Sequence, residues 1–403
     1  MAVTINQEPT SPNGSQADIL YVVSSTNTLE PQFKFVCDVR GNAGTILSRI
    51  KQPMNPSGYG VFEISQILDD YIGYDEIWKI SGISASIDNT KQFSILFGEE
   101  WGATAYGTTQ IYNGLGDVVG DPEKTGSVSP LVIIPAVEER DIAFNWQSGS
   151  YVDTFLTNSP STIYAKPDEY ATLSHINISG SDFRPLSFTY TVYNSAGSVI
   201  AAKAVLNPLS GSSESNNLIN IPIGPQNFVN DATLSILTGS AWAYYDVTAY
   251  NKDTKRVYRL DDCDAQNGTR FAFINRLGVW DYYTATLTKT ENRQFNQNTY
   301  QKNFINYSTD GLIQFNPSRR GESVYNKQID ATYTAQTDWL EQDRADWLVE
   351  LFESPSVYIQ QGSEFIPVII TNQSIDMKTN PRGQKLFTYQ IQYRLANKKK
   401  NRR

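Results

Sequence analysis

From Phe387 to Leu395 the chain alternates without a break. Phe387, Tyr389, Ile391, Tyr393 and Leu395 are apolar, and Thr388, Gln390, Gln392 and Arg394 between them are polar. A period of two over this length fits a strand with one buried face. Something has to cover that face, and the chain supplies a helix just upstream. In the stretch from Asp338 to Phe352, Leu340, Trp347, Leu348, Leu351 and Phe352 fall on one stripe at helical spacing. Asp338 with Glu341 three residues on reads as an Asp form of the capping box. Pro355 stops the helix, because proline disfavours a helical residue before it. Val357-Tyr358-Ile359, a turn at Gly362 and the apolar run Phe365 to Ile370 predict two further strands. A sheet with one helix packed on it is a small α+β unit.

The chain has 403 residues, more than one core usually supports, so two or three domains are expected. Only 19% of residues are charged, and 24 Tyr and 18 Phe favour strands over helices. The fold class expected is mainly β: a multidomain, β-sandwich-like protein ending in the α+β unit. Five segments follow from the pattern: a polar arm at 1–18, a mostly β domain with a short helix at 19–135, a β-sandwich domain at 136–260, the α+β domain at 261–397, and a basic tail at 398–403.

In the first domain, Phe33, Phe35, Cys37 and Val39 alternate, Gly41 to Gly44 turns, and Thr45 to Ile50 returns, which predicts a hairpin. Ile64, Ile67, Leu68 and Tyr71 predict a short helix, and Phe93 to Phe97 a strand. In the second domain, Leu186 to Tyr193 and Val199 to Val205 form a second hairpin, and Leu209 to Asn217 a flexible loop. Leu218 to Ile223, Trp242 to Tyr250 and Val257 to Leu260 complete a run of short strands spaced as in a β-sandwich. Phe271 to Asp281 is a strand entering a turn with Asn275, Gly278 and an exposed aromatic, Trp280. Residues 291–330 are rich in Asn and Gln and read as long strands or a solvent-facing hairpin.

Candidate chemistry is sparse. The single histidine, His175, has no nucleophile elbow anywhere in the chain to serve, and reads as structural. One His with Cys37 and Cys263 does not make a usual zinc set, and the two cysteines read as buried thiols, with a disulfide between them left open. Acidic pairs occur at Asp69-Asp70, Glu99-Glu100, Glu138-Glu139 and Asp261-Asp262. Neighbours on a strand point to opposite sides, so a glycosidase would need one carboxylate from each of two pairs. Asp261 to Gly268 resembles a calcium loop only loosely, lacking its bidentate Glu. No phosphate-cradling glycine loop is present. Tyr and Trp side chains suit stacking on sugars, but their alternating positions suit sheet packing too. No catalytic, cofactor or metal residue is assigned.

Charge singles out the other end. Lys398, Lys399, Lys400, Arg402 and Arg403 put five positive charges in the last six residues, leaving about −14 on the rest of a chain whose net charge is −9. Such a run has nothing apolar to bury and reads as a disordered docking strap for an acidic partner. No basic face supports it, so nucleic acid is not expected as a partner. No stretch approaches the ~20 apolar residues of a membrane span, and the start of the chain lacks the marks of a signal peptide.

Three stretches together resemble a known class. They are Phe33 to Val39 followed by Gly58 to Ile64, then Phe271 to Trp280, then the helix with Leu351 to Val357 and the closing strands. The combination resembles virion structural proteins of tailed bacteriophages, particularly those infecting Bacteroidetes. The C-terminal part is similar in style to baseplate ring proteins of the distal-tail type. The resemblance covers about half the chain, and residues 99–260 do not share in it. It implies a ring or collar of copies in a virion tail, docked to neighbouring tail proteins, made in the host cytoplasm without a signal peptide, and without enzyme activity. Two alternatives stand beside it: a glycan-binding fibre or adhesin module, and a polysaccharide-degrading enzyme.

Overall fold

A computed structural model describes the chain except residues 1–2, 10–12, 42–43, 87, 104–107, 113–130, 136–153, 178–185, 210–217, 250–252, 261–267, 303–304, 316–320, 376–385 and 398–403. The protein is mainly β, with 51% strand against 9% helix. Its contacts gather into two compact units. Unit 1 is Met1–Leu260 with Ile274–Tyr282, and unit 2 is Asp261–Phe273 with Tyr283–Arg403.

In unit 1, the strands Val3–Gln7, Leu20–Ser25 and Tyr59–Glu63 form an antiparallel sheet. A larger sheet runs in the order Asn13–Gly14, Leu131–Ile134, Lys91–Ala103, Lys34–Arg40, Ile46–Gln52. The two sheets share one buried cluster that includes Tyr21, Val23, Phe35, Cys37, Phe62, Ile95 and Phe97, as two sheets packed face to face do. The expected hairpin is present, with Cys37 opposite Ile50. The expected helix shortens to Ser65–Asp69, with Leu68 buried and Tyr71 beyond it exposed. The polar start, read as an arm, is instead tied to the body. Val3–Gln7 adds to the edge of Leu20–Ser25, and Val3 is buried. Two apolar residues at strand spacing, Val3 and Ile5, suffice here because the neighbouring strand supplies an open hydrogen-bonding edge.

Gly60 marks the closest approach in this core. A Cβ there would lie 2.6 Å from the Phe35 ring and 3.0 Å from Val23 Cγ2. Phe35 is fully buried and has no room to retreat. Gly60→Ala is therefore expected to destabilise unit 1 by about 1–3 kcal/mol through overpacking. A urea-unfolding midpoint equal to wild type would show that the ring moves aside.

The rest of unit 1 holds a five-stranded sheet in the order Thr162–Ala165, Thr254–Arg259, Tyr244–Ala249, Ser187–Tyr193, Val199–Leu206. Its first pair is parallel and the others antiparallel. A three-stranded sheet joins Thr172–Ile176, Leu218–Pro222 and Ser84–Ala85. The last pairing links sequence from 19–135 to sequence from 136–260, and both lie in one compact unit. The turn Ile274–Tyr282 also belongs here. Asn275 Nδ2 donates to the Leu156 carbonyl, and Asn275 Oδ1 accepts from the Leu277 and Val279 amides. Trp280, read as exposed, is buried: its Nε1 donates to the Asp75 carbonyl and its ring meets Trp78 edge to face at 5.2 Å. Gly278 has φ +77° and passes so near the Pro135 carbonyl that a Cβ would sit 2.4 Å from its oxygen.

Unit 2 is built on a seven-stranded sheet. Its order is Trp280–Ala285, Thr269–Ile274, Val357–Gln361, Glu364–Ile370, Gln390–Leu395, Glu322–Gln336, Lys289–Gln301. The helix Gln342–Glu353 covers one face through Trp347, Leu348 and Leu351, which join Phe271, Ile359, Ile391 and Tyr393 in one cluster. The alternating stretch behaves as read in its burial, with Phe387, Tyr389, Ile391 and Tyr393 buried and Leu395 half-buried, although only Gln390–Leu395 of the expected nine residues is strand. The helix start does not. Glu341, not Asp338, is the N-cap, and no side chain caps it. Asp338 instead accepts a hydrogen bond from the Tyr283 hydroxyl at 2.7 Å, and Leu340 pairs with Phe387 as an isolated bridge. The competing partners lie far along the chain, so local capping chemistry loses.

Candidate interaction surface

The most exposed regular structure among the described residues is a two-stranded ribbon in unit 2. Lys289–Gln301 pairs antiparallel with Glu322–Gln336 over thirteen registered residue pairs. Thr, Phe and Tyr favour extended backbone, and no Gly or Pro interrupts either strand. At ~3.4 Å per residue the first strand is roughly 44 Å long. Only Tyr333–Gln336 of the second strand are backed by a third strand, Gln390–Leu395. Beyond them the two strands run on alone among the described residues, a form that is marginal in water without support.

The two faces of the ribbon differ. On one, Thr290 faces Thr334, Asn292 faces Thr332, Gln294 faces Asp330 and Asn296 faces Gln328, all polar. On the other, Tyr333 stacks on buried Tyr393 with rings 5.4 Å apart, so this face continues the core side of the sheet. Moving outward it presents Ala331 opposite Arg293 and Ile329 opposite Phe295. The Lys327 ammonium lies 5.0 Å over the Phe295 ring. Arg293 pairs with Glu291 at 2.7 Å, but both are on the surface, where such a pair contributes little. Phe295 on this face is 55% exposed; Tyr300, an even position like Asn292 and Asn296, belongs to the opposite face, where it lies edge-on to Tyr325 at 6.2 Å. The composition of 291–330 predicts long strands or a solvent-facing hairpin, and the ribbon fits; that Phe295 and Ile329 stand together on a face shared with Glu291, Arg293 and Lys327 appears only once the two strands are in register.

Unit 1 carries a second surface feature. Tyr164, Tyr258, Tyr244 and Tyr193 stand opposite one another across four neighbouring strands. Tyr193 and Tyr244 stack at 4.7 Å and 17°, and Tyr244 and Tyr258 lie 5.2 Å apart. Arg256, paired with Asp246 at 2.7 Å, sits 4.7 Å over the Tyr244 ring. The Asp246 carboxylate holds the Arg256 guanidinium pKa above its usual range. Neighbouring rings cover part of one another's faces, so the row presents edges and hydroxyls more than free ring faces.

The other residues considered from sequence stay apart. His175 is fully buried, with Nδ1 2.7 Å from the Ile176 carbonyl and its ring between Phe155 and Phe188. Ser174 beside it donates to Asn220 Oδ1. Glu99 accepts from Ser25 Oγ and Asn27 Nδ2, while Glu100 pairs with Lys51 on the opposite side of the strand. Asp69 accepts from Ser15 Oγ. Cys37 is buried, and burial, with Asp38 adding to it, pushes its thiol pKa far up. Cys263, Glu138-Glu139, the acidic loop from Asp261, the loop 210–217 and the tail residues Lys398, Lys399, Lys400, Arg402 and Arg403 lie outside the described residues. Among the described residues no helix is long and apolar enough to cross a membrane, and no three His, Cys, Asp or Glu side chains gather at metal-binding distance.

Neither models of known protein families nor curated proteins match this sequence.

Proposed function

We propose that the chain is a structural protein of a bacteriophage virion, a tail or baseplate component that assembles with copies of itself and docks other tail proteins. It acts by assembly and not by catalysis. The observation that carries this reading is the exposed ribbon, whose side chains Phe295, Tyr300, Val324 and Tyr325 are each about half exposed in the single chain. A protein that works alone gains nothing from holding such side chains in water. The low charge, the strand-rich construction and the resemblance of three stretches to virion proteins support the same reading. Mass measurement and electron microscopy of the purified protein test it. Closed rings or collars are expected; a monomer at every concentration sinks the proposal.

The basic tail enters this reading as a strap. Deleting residues 398–403 is expected to leave the melting temperature unchanged and to weaken assembly at low salt. The difference from wild type shrinks as salt rises, since exposed charges are screened beyond about 8 Å at physiological ionic strength. Equal assembly of the truncated and full chains at low salt would remove the strap from the proposal.

A glycan-binding module is a second reading, and the tyrosine row with Arg256 and Asp246 is the observation that favours it. A glycan array with wild type and Tyr164→Ala separates the two readings.

A further inference from the structure

Among the described residues Lys289–Gln301 is the last strand of its sheet, and all thirteen of its residues are exposed. Edge strands are normally blunted by proline, by a bulge or by charge. This one has no proline, and after Arg293 it has no charge. Its ladder does contain a bulge, but the extra residue is on the inner strand: Asn298 faces Asn326 and Thr299 faces Val324, leaving Tyr325 over. The outer strand itself is uninterrupted.

We infer that this edge pairs with the same edge of a second copy of the chain, antiparallel, about a two-fold axis at Phe295. The inference rests on the reading of the chain as a self-assembling protein and names one of its contacts: a two-fold pairing closes as a dimer, and a ring is built from such dimers through a second, head-to-tail surface. Full overlap of the strand with its own copy places the axis at its midpoint, Phe295. Lys289 then meets Gln301 of the second copy, Glu291 meets Thr299, and Arg293 meets Gln297. All three charges lie in one half of the strand and the other half is neutral, so every charge faces an uncharged polar residue. Parallel pairing in register would set each charge against itself, which is unfavourable. Asn292 meets Asn298, Gln294 meets Asn296, and the exposed Phe295 ring meets its own copy. The edge, open among the described residues, gains backbone partners along its whole length.

Thr299 gives a test specific to this register. Its neighbour within the chain is Val324, so a charge placed there has no ionic partner opposite it in its own ladder. Across the proposed axis it faces Glu291. Thr299→Glu is expected to weaken the dimer and Thr299→Lys to tighten it, each by roughly tenfold, since each dimer contains the pair twice. Sedimentation of the full-length variants at low salt reads both dissociation constants. Phe295→Cys is expected to form a covalent dimer under mild oxidation, because residues meeting at the axis lie within disulfide reach. Asn292→Cys, which faces Asn298, is not. The unsubstituted chain controls for Cys37 and Cys263.

Opposite shifts for the two Thr299 variants, with cross-linking at 295 only, support the inference. Equal dissociation constants for both, or no cross-link at 295, in a protein that still assembles overturn the edge pairing and leave the assembly reading standing. A chain that stays monomeric throughout overturns both.

Discussion

Trp347→Ala is expected to lower the stability of unit 2 by about 3–5 kcal/mol. The indole is 5% exposed in the middle of the helix Gln342–Glu353. Its ring lies 5.8 Å from Phe273 and 6.2 Å from Tyr283, and Leu348 and Leu351 beside it are fully buried. Removing it empties the space between helix and sheet, and the flanking residues belong to rigid strands that have little freedom to close the gap. A fall in melting temperature of roughly 10–20 °C follows for a unit of this size. Trp339→Ala is the matched control. Trp339 is 64% exposed and precedes the helix, so its loss is expected to cost no more than about 0.5 kcal/mol. Thermal unfolding followed by near-UV circular dichroism measures both, and equal melting of Trp347→Ala and wild type would mean that the helix is not seated on this sheet.

A steep loss of stability above pH 10 is the second large effect expected. Burial raises the pKa of Tyr21, Tyr190 and Tyr283 far above the ordinary tyrosine value, and pushes Tyr393 up to about 12. The Tyr190 hydroxyl donates to the Pro222 carbonyl and the Tyr283 hydroxyl to Asp338, so ionisation would also place charge against an acceptor. The folded protein keeps these protons after the unfolded chain has released them. The stability they represent is present below the unfolded value near 10 and is lost as pH rises toward the folded values. Each such group removes about 1.4 kcal/mol per pH unit in that window.

The buried Cys37 thiol acts in the same direction from about pH 9. Lys255 acts in the other direction. Burial lowers its pKa, so the unfolded chain holds its proton longer and stability rises with pH through that window. The Lys255 window closes at its unfolded value just above pH 10, as those of the tyrosines open, so beyond it Tyr21, Tyr190 and Cys37 act together in unit 1 and Tyr283 and Tyr393 in unit 2, at roughly 4 and 3 kcal/mol per pH unit. Urea midpoints measured at about pH 9, 10 and 11 check the slope. Tyr190→Phe should flatten it by one group's share. A midpoint constant across that range would show that these hydroxyls are open to hydroxide in the folded state.

Local patterns in this sequence carried a good deal. Alternation alone marked Phe387 to Leu395 as extended chain with one buried side, of which Gln390–Leu395 is strand, and the stripe through Trp347 and Leu351 as the helix face that covers it. Hairpins with short turns, such as Lys34–Arg40 with Ile46–Gln52, were legible because both strands and the turn lie within twenty residues. The start of the helix was not, because Asp338 is claimed by Tyr283, fifty-five residues away. Trp280 looked exposed because its partners, Trp78 and Asp75, lie about two hundred residues upstream. The strand at Val3–Gln7 was hidden for a related reason: its own residues are mostly polar, and its edge is supplied by Leu20–Ser25.

The same division separates the site from the fold. That Lys289–Gln301 and Glu322–Gln336 are long, polar strands agrees with the reading of 291–330 from composition as long strands or a solvent-facing hairpin. That Lys289–Gln301 is the open edge of a sheet among the described residues, that Phe295 stands opposite Ile329, and that Tyr164, Tyr258, Tyr244 and Tyr193 form one row does not follow from composition. A strand's own sequence determines which side chains share a face, because the backbone repeats every two residues. Which strand lies beside it is decided by hydrogen-bond pairing between distant segments, and that pairing is settled only when the whole sheet closes on its core.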